Sequence, residues 1–210
     1  MDFLLIFAFI GASILLTLMP GPDILYVLTE SLTRGRKTGI SIGTGLSLGV
    51  FVHTILAASG ISLLLSQSPL AFDIVKYAGA LYLFYLAFQA FNEKPATIDL
   101  SSAQEKAAQL QWPLIRKGFL MNVLNPKVSI FFIAFLPQFV SSEGWTPMYQ
   151  MIVLGLIFML QAWIIFSLVA STGGLFAAWL NQPRFWSIAK WSKIVVLMIL
   201  GITLVFSANG

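Results

Sequence analysis

Two residues of opposite charge, Asp23 and Lys127, each stand directly behind a proline inside a long apolar run. Asp23 closes Met19-Pro20-Gly21-Pro22-Asp23, within hydrophobic sequence from Phe3 to about Leu32. Lys127 closes Asn122-Val123-Leu124-Asn125-Pro126-Lys127, within a run from Gly118 to Val140. An aspartate deep in an apolar span costs about 2.5–3.5 kcal/mol on insertion scales, so it must face a cavity or a partner. There it can hold an ammonium group and exchange a proton, while Lys127 can hold a carboxylate. A permanent Asp23–Lys127 ion pair is the structural alternative. Asn122 and Asn125 add amide groups beside the second break, as candidate contacts to the same small solute. Aspartate and asparagine are also preferred helix caps, so Asp23 and Asn125 can each cap the half-helix that follows.

Pro20, Gly21, Pro22 and Pro126 shape the backbone around these charges. Proline has no amide hydrogen and clashes with the preceding turn, so it breaks a helix and frees carbonyls. In a bilayer such freed groups are tolerated only where protein or a polar cavity covers them. His53, the one histidine, lies in another apolar run. With Asp23 it is a candidate proton relay, and an interhelical hydrogen bond is its structural alternative. Gln89 and Gln161 read in the same two ways, and Tyr82, Phe84 and Tyr85 read first as packing. Glu30 lies four residues from Arg34, the spacing of a helix-surface ion pair.

The composition says what solvent these breaks face. Of 210 residues, 58% are hydrophobic and 10% charged, with a mean hydropathy of +0.89; soluble domains carry about 25% charged residues. Several runs reach the ~20 residues that span a hydrocarbon core. The chain has no cysteine, which removes thiolate metal sites, disulfides and cysteine nucleophiles. Too few carboxylates and histidines converge for a metal, so no metal and no cofactor is expected. The net charge of +4 resides in short loops between apolar runs, which points to membrane orientation and not to nucleic acid. Asp2 takes the place of a positive n-region, so no cleavable signal is expected.

The pattern therefore predicts an all-α integral membrane protein with six transmembrane helices in one domain, 1–210. The spans run about Phe3–Leu32, Gly39–Leu65, Ile74–Phe91, Leu114–Val140, Met148–Leu180 and Trp191–Phe206. A basic turn is expected at Thr33–Lys37, a polar linker at Asn92–Trp112 containing a short capped helix, and a basic connection at Asn181–Lys190. Ten of the twelve basic residues fall on one side, which the positive-inside rule makes cytoplasmic, with both termini outside. Lys76 is expected to snorkel from the outer end of the third span. Residues 1–92 and 113–210 then form two inverted three-helix repeats, joined by a linker over 93–112, each opening with a helix broken at a proline motif. Paired breaks of this kind point to a transporter's central site. Glycines at Gly43, Gly45 and Gly49 allow close helix approach, within a subunit or across a homodimer.

The segments MPGPD at Met19–Asp23, SLTRGRKTGISIGTGLSLG, AGALYLFYLAFQAF and GFLMNVLNPKVSIFFIAFLPQF together resemble the LysE/RhtB family of bacterial amino-acid exporters. The resemblance extends over nearly the whole chain, although many members carry asparagine where this chain has Asp23. It implies an inner-membrane secondary carrier exporting amino acids or close derivatives, of the homoserine, threonine or leucine type, driven by the proton motive force. Its partners would be the substrate, protons and the lipid bilayer. A passive channel for small polar solutes and an intramembrane lipid-modifying enzyme are the alternatives. The enzyme lacks a nucleophile with a base at a workable spacing.

Overall fold

Proline sets most of the element boundaries. The computed structural model describes residues 2–61, 69–93, 111–141, 144–180 and 182–206. Helix α1 (Phe3–Leu18) is capped by Asp2, whose carboxylate accepts from the Leu4 amide. The others are α2 (Pro22–Arg34), α3 (Arg36–Leu56), α4 (Pro69–Phe91), α5 (Gln111–Val123), α6 (Pro126–Ile130), α7 (Pro147–Leu180) and α8 (Pro183–Phe206). Five of these eight begin on a proline, whose fixed φ suits the first helical position and whose missing amide is not needed there. Helix α3 widens into a π turn at Ala57–Ile61. Helix α6 passes through a π turn at Phe131–Phe135 into a 3-10 turn at Leu136–Phe139.

Several expected boundaries move. The basic turn at Thr33–Lys37 shrinks to Gly35 alone, with φ +91°, a conformation that side chains disfavour. The expected connection at Asn181–Lys190 is helical from Pro183 onward, and α4 starts at Pro69, ahead of the expected Ile74. In both cases a proline takes the first helical position and the helix starts there, ahead of the expected span. Lys76 does not snorkel: it is buried and 3.3 Å from Asp73, one helical turn away. The short helix expected in the linker and the turn at Ser66 lie outside the described residues.

Helices α4, α7, α8 and α3 with its π turn are each long and apolar enough to cross a membrane. The pairs α1 with α2, bent by 58°, and α5 with the Pro126–Phe139 segment, bent by 53°, reach that length only together. The fold is all-helical among the described residues, with four to six candidate spans.

The glycine run packs the molecule against itself. A Cβ at Gly45 would lie 2.0 Å from the Ile115 carbonyl oxygen, and one at Gly118 would lie 2.3 Å from that of Ile42. Helices α3 and α5 therefore touch backbone to backbone. Gly49 leaves the space that the Asn122 side chain occupies, and Gly43 faces Phe166 of α7. All of these approaches are within one subunit, so the glycines need no second copy to explain them. On the terminal side of the breaks, Phe9 packs with Phe131, Phe139 and Phe158 at ring-centroid separations of 5.3–6.3 Å. Phe132 and Phe135 complete this aromatic core.

Candidate functional site

The two proline breaks meet. Asn125 caps α6 with its Oδ1, which accepts from the Lys127 amide at 3.0 Å. Its Nδ2 donates to Oδ2 of Asp23, 102 residues away. Asn125 is thus the helix cap that its sequence position allowed, and its amide also joins the two breaks. Asp23 does not cap α2: Pro22 takes the first helical position, so the cap falls to Gly21, which has no side chain to bond. The Asp23 side chain is buried and turned toward the second break.

A helix carbonyl four residues before a proline loses the amide that would have bonded it. Pro20 orphans the Leu16 carbonyl, and Lys127 Nζ donates to it at 3.1 Å. Pro126 orphans the Asn122 carbonyl, and His53 Nε2 lies 3.1 Å from it. A carbonyl only accepts, so this ring nitrogen carries the hydrogen. The Asn125 amide reaches the same oxygen at 2.9 Å. Each half of the chain therefore supplies the donor missing from the other half's broken helix. Asp23 and Lys127 make no direct ion pair, so the salt-bridge lock that sequence allowed is replaced by these three hydrogen bonds. The reason is competition: an unbonded buried carbonyl costs about 1–3 kcal/mol, and Lys127 is the donor within reach of Leu16.

Two cavities adjoin the breaks. The larger, about 640 Å³, is lined by Met19–Pro22, Asn125–Lys127, Tyr85 and Gln89 of α4, Glu93 just beyond its end, and Lys193 of α8. Its volume lies within the ~300–1,000 Å³ typical of small-molecule sites. The smaller, about 20 Å³, is lined by Thr17, Asp23, Asn122 and Lys127 among apolar side chains. It has room for one water, which needs about 10–15 Å³ on this measure. Lys127 lines both, so its side chain stands between the large cavity and Asp23. Asn122 Oδ1 is buried with no hydrogen-bond partner. Gln161 donates to Thr17 at 3.0 Å, the interhelical bond expected of it.

His53 lines neither cavity. Glu30 and Arg34 form the expected pair at 3.2 Å. Among the described residues no three potential metal ligands of the His, Asp or Glu type converge. Sequence reasoning missed Thr17, Glu93 and Lys193 as cavity residues. Lys193 registered only as one more cation setting orientation, and Glu93 as part of a linker. Their meeting at 2.6 Å depends on how α4 lies against α8.

Three comparisons bear on this arrangement. Residues 14–208 match the family model described as LysE type translocator. The chain is 31% identical over 178 residues to a homoserine/homoserine lactone efflux protein of Salmonella typhimurium, covering 85% of this chain and 84% of that protein. It is 35% identical over 170 residues to an uncharacterized membrane protein of Pseudomonas aeruginosa, covering 80% and 78%. An uncharacterized membrane protein of Bacillus subtilis is 28% identical over 201 residues, covering 92% and 94%. No solved structure matches the fold.

Proposed function

The chain belongs to the LysE type translocator family, and from that footing we propose a secondary carrier that exports amino acids or close derivatives across the bacterial inner membrane. As a family member it is a multi-pass membrane transporter and not an enzyme. The observation that carries the finer reading is the cavity of about 640 Å³, which ends on both helix breaks while the phenylalanine cluster packs beyond them. A site approached from one side and closed on the other is what alternating access requires, whereas a channel requires continuity. The substrate carboxylate takes the remaining hydrogens of Lys127 Nζ, beside Asn125. The substrate ammonium takes Asp23 and the unpaired Oδ1 of Asn122. Pro20, Gly21, Pro22 and Pro126 hold the backbone open around them.

In this reading each bent pair counts as one span, giving six spans in two inverted halves with both termini outside. The chain has no cysteine, so single cysteines at Arg36 and Met148 report orientation directly in whole cells. Arg36→Cys should resist an impermeant thiol reagent and Met148→Cys should react; the opposite result inverts the topology. Transport itself is tested in proteoliposomes offered a panel of labelled amino acids that includes L-homoserine, the solute in the Salmonella relative's name. Uphill accumulation under an imposed proton gradient is expected. Movement that only dissipates a solute gradient would establish a channel instead.

His53 is read here as a positioning residue that holds the Asn122 carbonyl, and through it the second break. His53→Gln keeps a donor and should keep the pH profile of transport while lowering its rate a few-fold. His53→Phe removes one of the two donors on the Asn122 carbonyl and leaves the Asn125 amide. It should therefore lower thermal stability by the net worth of one hydrogen bond, about 0.5–1.5 kcal/mol. A flattened pH profile in His53→Gln would return histidine to the proton path.

A further inference from the structure

We propose that Glu93 and Lys193 form an entry subsite for the zwitterionic head group of the substrate, an inference that rests on the carrier reading above. Both line the same cavity as Lys127 and Asn125, and Lys193 Nζ lies 2.6 Å from Glu93 Oε2. Their side chains are 19% and 53% exposed respectively, so this pair meets solvent where Asp23 does not.

A structural bridge between α4 and α8 would be the ordinary explanation, but that joint is already fastened. The Phe84 ring is seated on Gly201, where a Cβ would come within 2.5 Å of it. Phe91 meets Trp191 edge-on at 6.0 Å, and Lys190 lies over Phe91 at 5.1 Å. A partly exposed ion pair adds little to such packing. What it does provide is one charge of each sign, side by side, at the rim of a cavity whose far end holds Lys127. An α-amino acid presents the complementary two charges on adjacent groups. Its carboxylate bonds Lys193 and its ammonium bonds Glu93, each charge-assisted bond replacing half of the resident pair. The head group then passes inward to Lys127 and Asp23, two successive sites of the same polarity, each weak enough to leave.

The experiment is counterflow in proteoliposomes with two probes, L-homoserine and L-homoserine lactone, near pH 6. Both carry the ammonium there, because an α-amino group beside a carboxylate or an ester titrates above that pH, but the lactone has no carboxylate. Lys193→Met should raise the half-saturation concentration for homoserine about tenfold and leave that for the lactone unchanged; Glu93→Gln should raise both about tenfold. The maximal rate and the melting temperature in detergent should stay near wild type. Equal effects of Lys193→Met on the two probes, or no effect on either, would overturn the subsite while wild-type transport keeps the carrier reading intact. A loss of activity that follows a fall in melting temperature would make the pair a structural fastener. Failure of the wild type to move these probes or any amino acid of the panel would overturn both readings. If another amino acid of the panel is moved instead, the same comparison is made with that amino acid and its methyl ester, which also lacks the carboxylate.

Discussion

Asp23→Asn should abolish gradient-driven accumulation, by about a hundredfold or more, in a protein that remains folded. Asparagine still presents an oxygen to Asn125 Nδ2, so the one hydrogen bond between the breaks that Asp23 makes survives. Only the charge is lost. Bonds to charged groups contribute about 1.5–3 kcal/mol, and 2.7 kcal/mol in a barrier is a hundredfold in rate. The loss of one buried charge saves its burial cost but leaves Lys127 without a nearby counter-charge, so the melting temperature should change little. Lys127 should behave differently, because it does two things at once. Lys127→Met loses the cation that faces the cavity and also leaves the Leu16 carbonyl without a donor. Transport and stability should therefore fall together, and Lys127→Arg, which keeps donors, should recover the stability. The measurements are accumulation in proteoliposomes and thermal unfolding in detergent. Accumulation that survives Asp23→Asn would put the substrate site elsewhere.

The second large effect is structural. Gly45→Ala adds one methyl group, yet that atom would lie 2.0 Å from the Ile115 carbonyl oxygen and 2.8 Å from the Phe119 amide nitrogen. Both neighbours are helix backbone, so no side chain can swing away and α3 must separate from α5. Overpacking of this kind costs about 1–3 kcal/mol and more where the neighbour is rigid. The separation also pulls His53 from the Asn122 carbonyl, because those residues sit on the same two helices. Gly11→Ala is the control, since nothing lies within 4 Å of its Cβ position. A large fall in melting temperature for Gly45→Ala, with none for Gly11→Ala, is expected. Equal behaviour of the two variants would mean that α3 and α5 are not in backbone contact.

The breaks were legible in the sequence because they are covalent facts. A proline lacks its amide hydrogen wherever it lies, so Pro20, Pro22 and Pro126 announce interrupted helices inside apolar runs without reference to any neighbour. The same locality makes Asp23 and Lys127 visible: a charge in an apolar run needs a partner or a cavity in any fold. Glu30 with Arg34 was readable for a similar reason, since four residues on a helix fix their proximity. Boundaries such as Pro183 and Pro69 were less legible, because a proline that opens a helix looks like one in a turn until its neighbours are known.

Partner choice between distant segments was not legible. Opposite charges behind matching prolines suggest an ion pair, but Asp23 takes Asn125 and Lys127 takes the Leu16 carbonyl. His53 supplies the Asn122 carbonyl from 69 residues away, and Glu93 meets Lys193 from 100 residues away. The sequence by itself determined which carbonyls would be orphaned and that Asp23 would be buried, since both follow from residue type within a few positions along one helix, whereas the burial of Lys76 did not follow. The tertiary structure alone decided which donor fills which vacancy. Hydrogen bonds and ion pairs act over about 3 Å in space, and helix packing, through glycines such as Gly45 and Gly118, sets those distances.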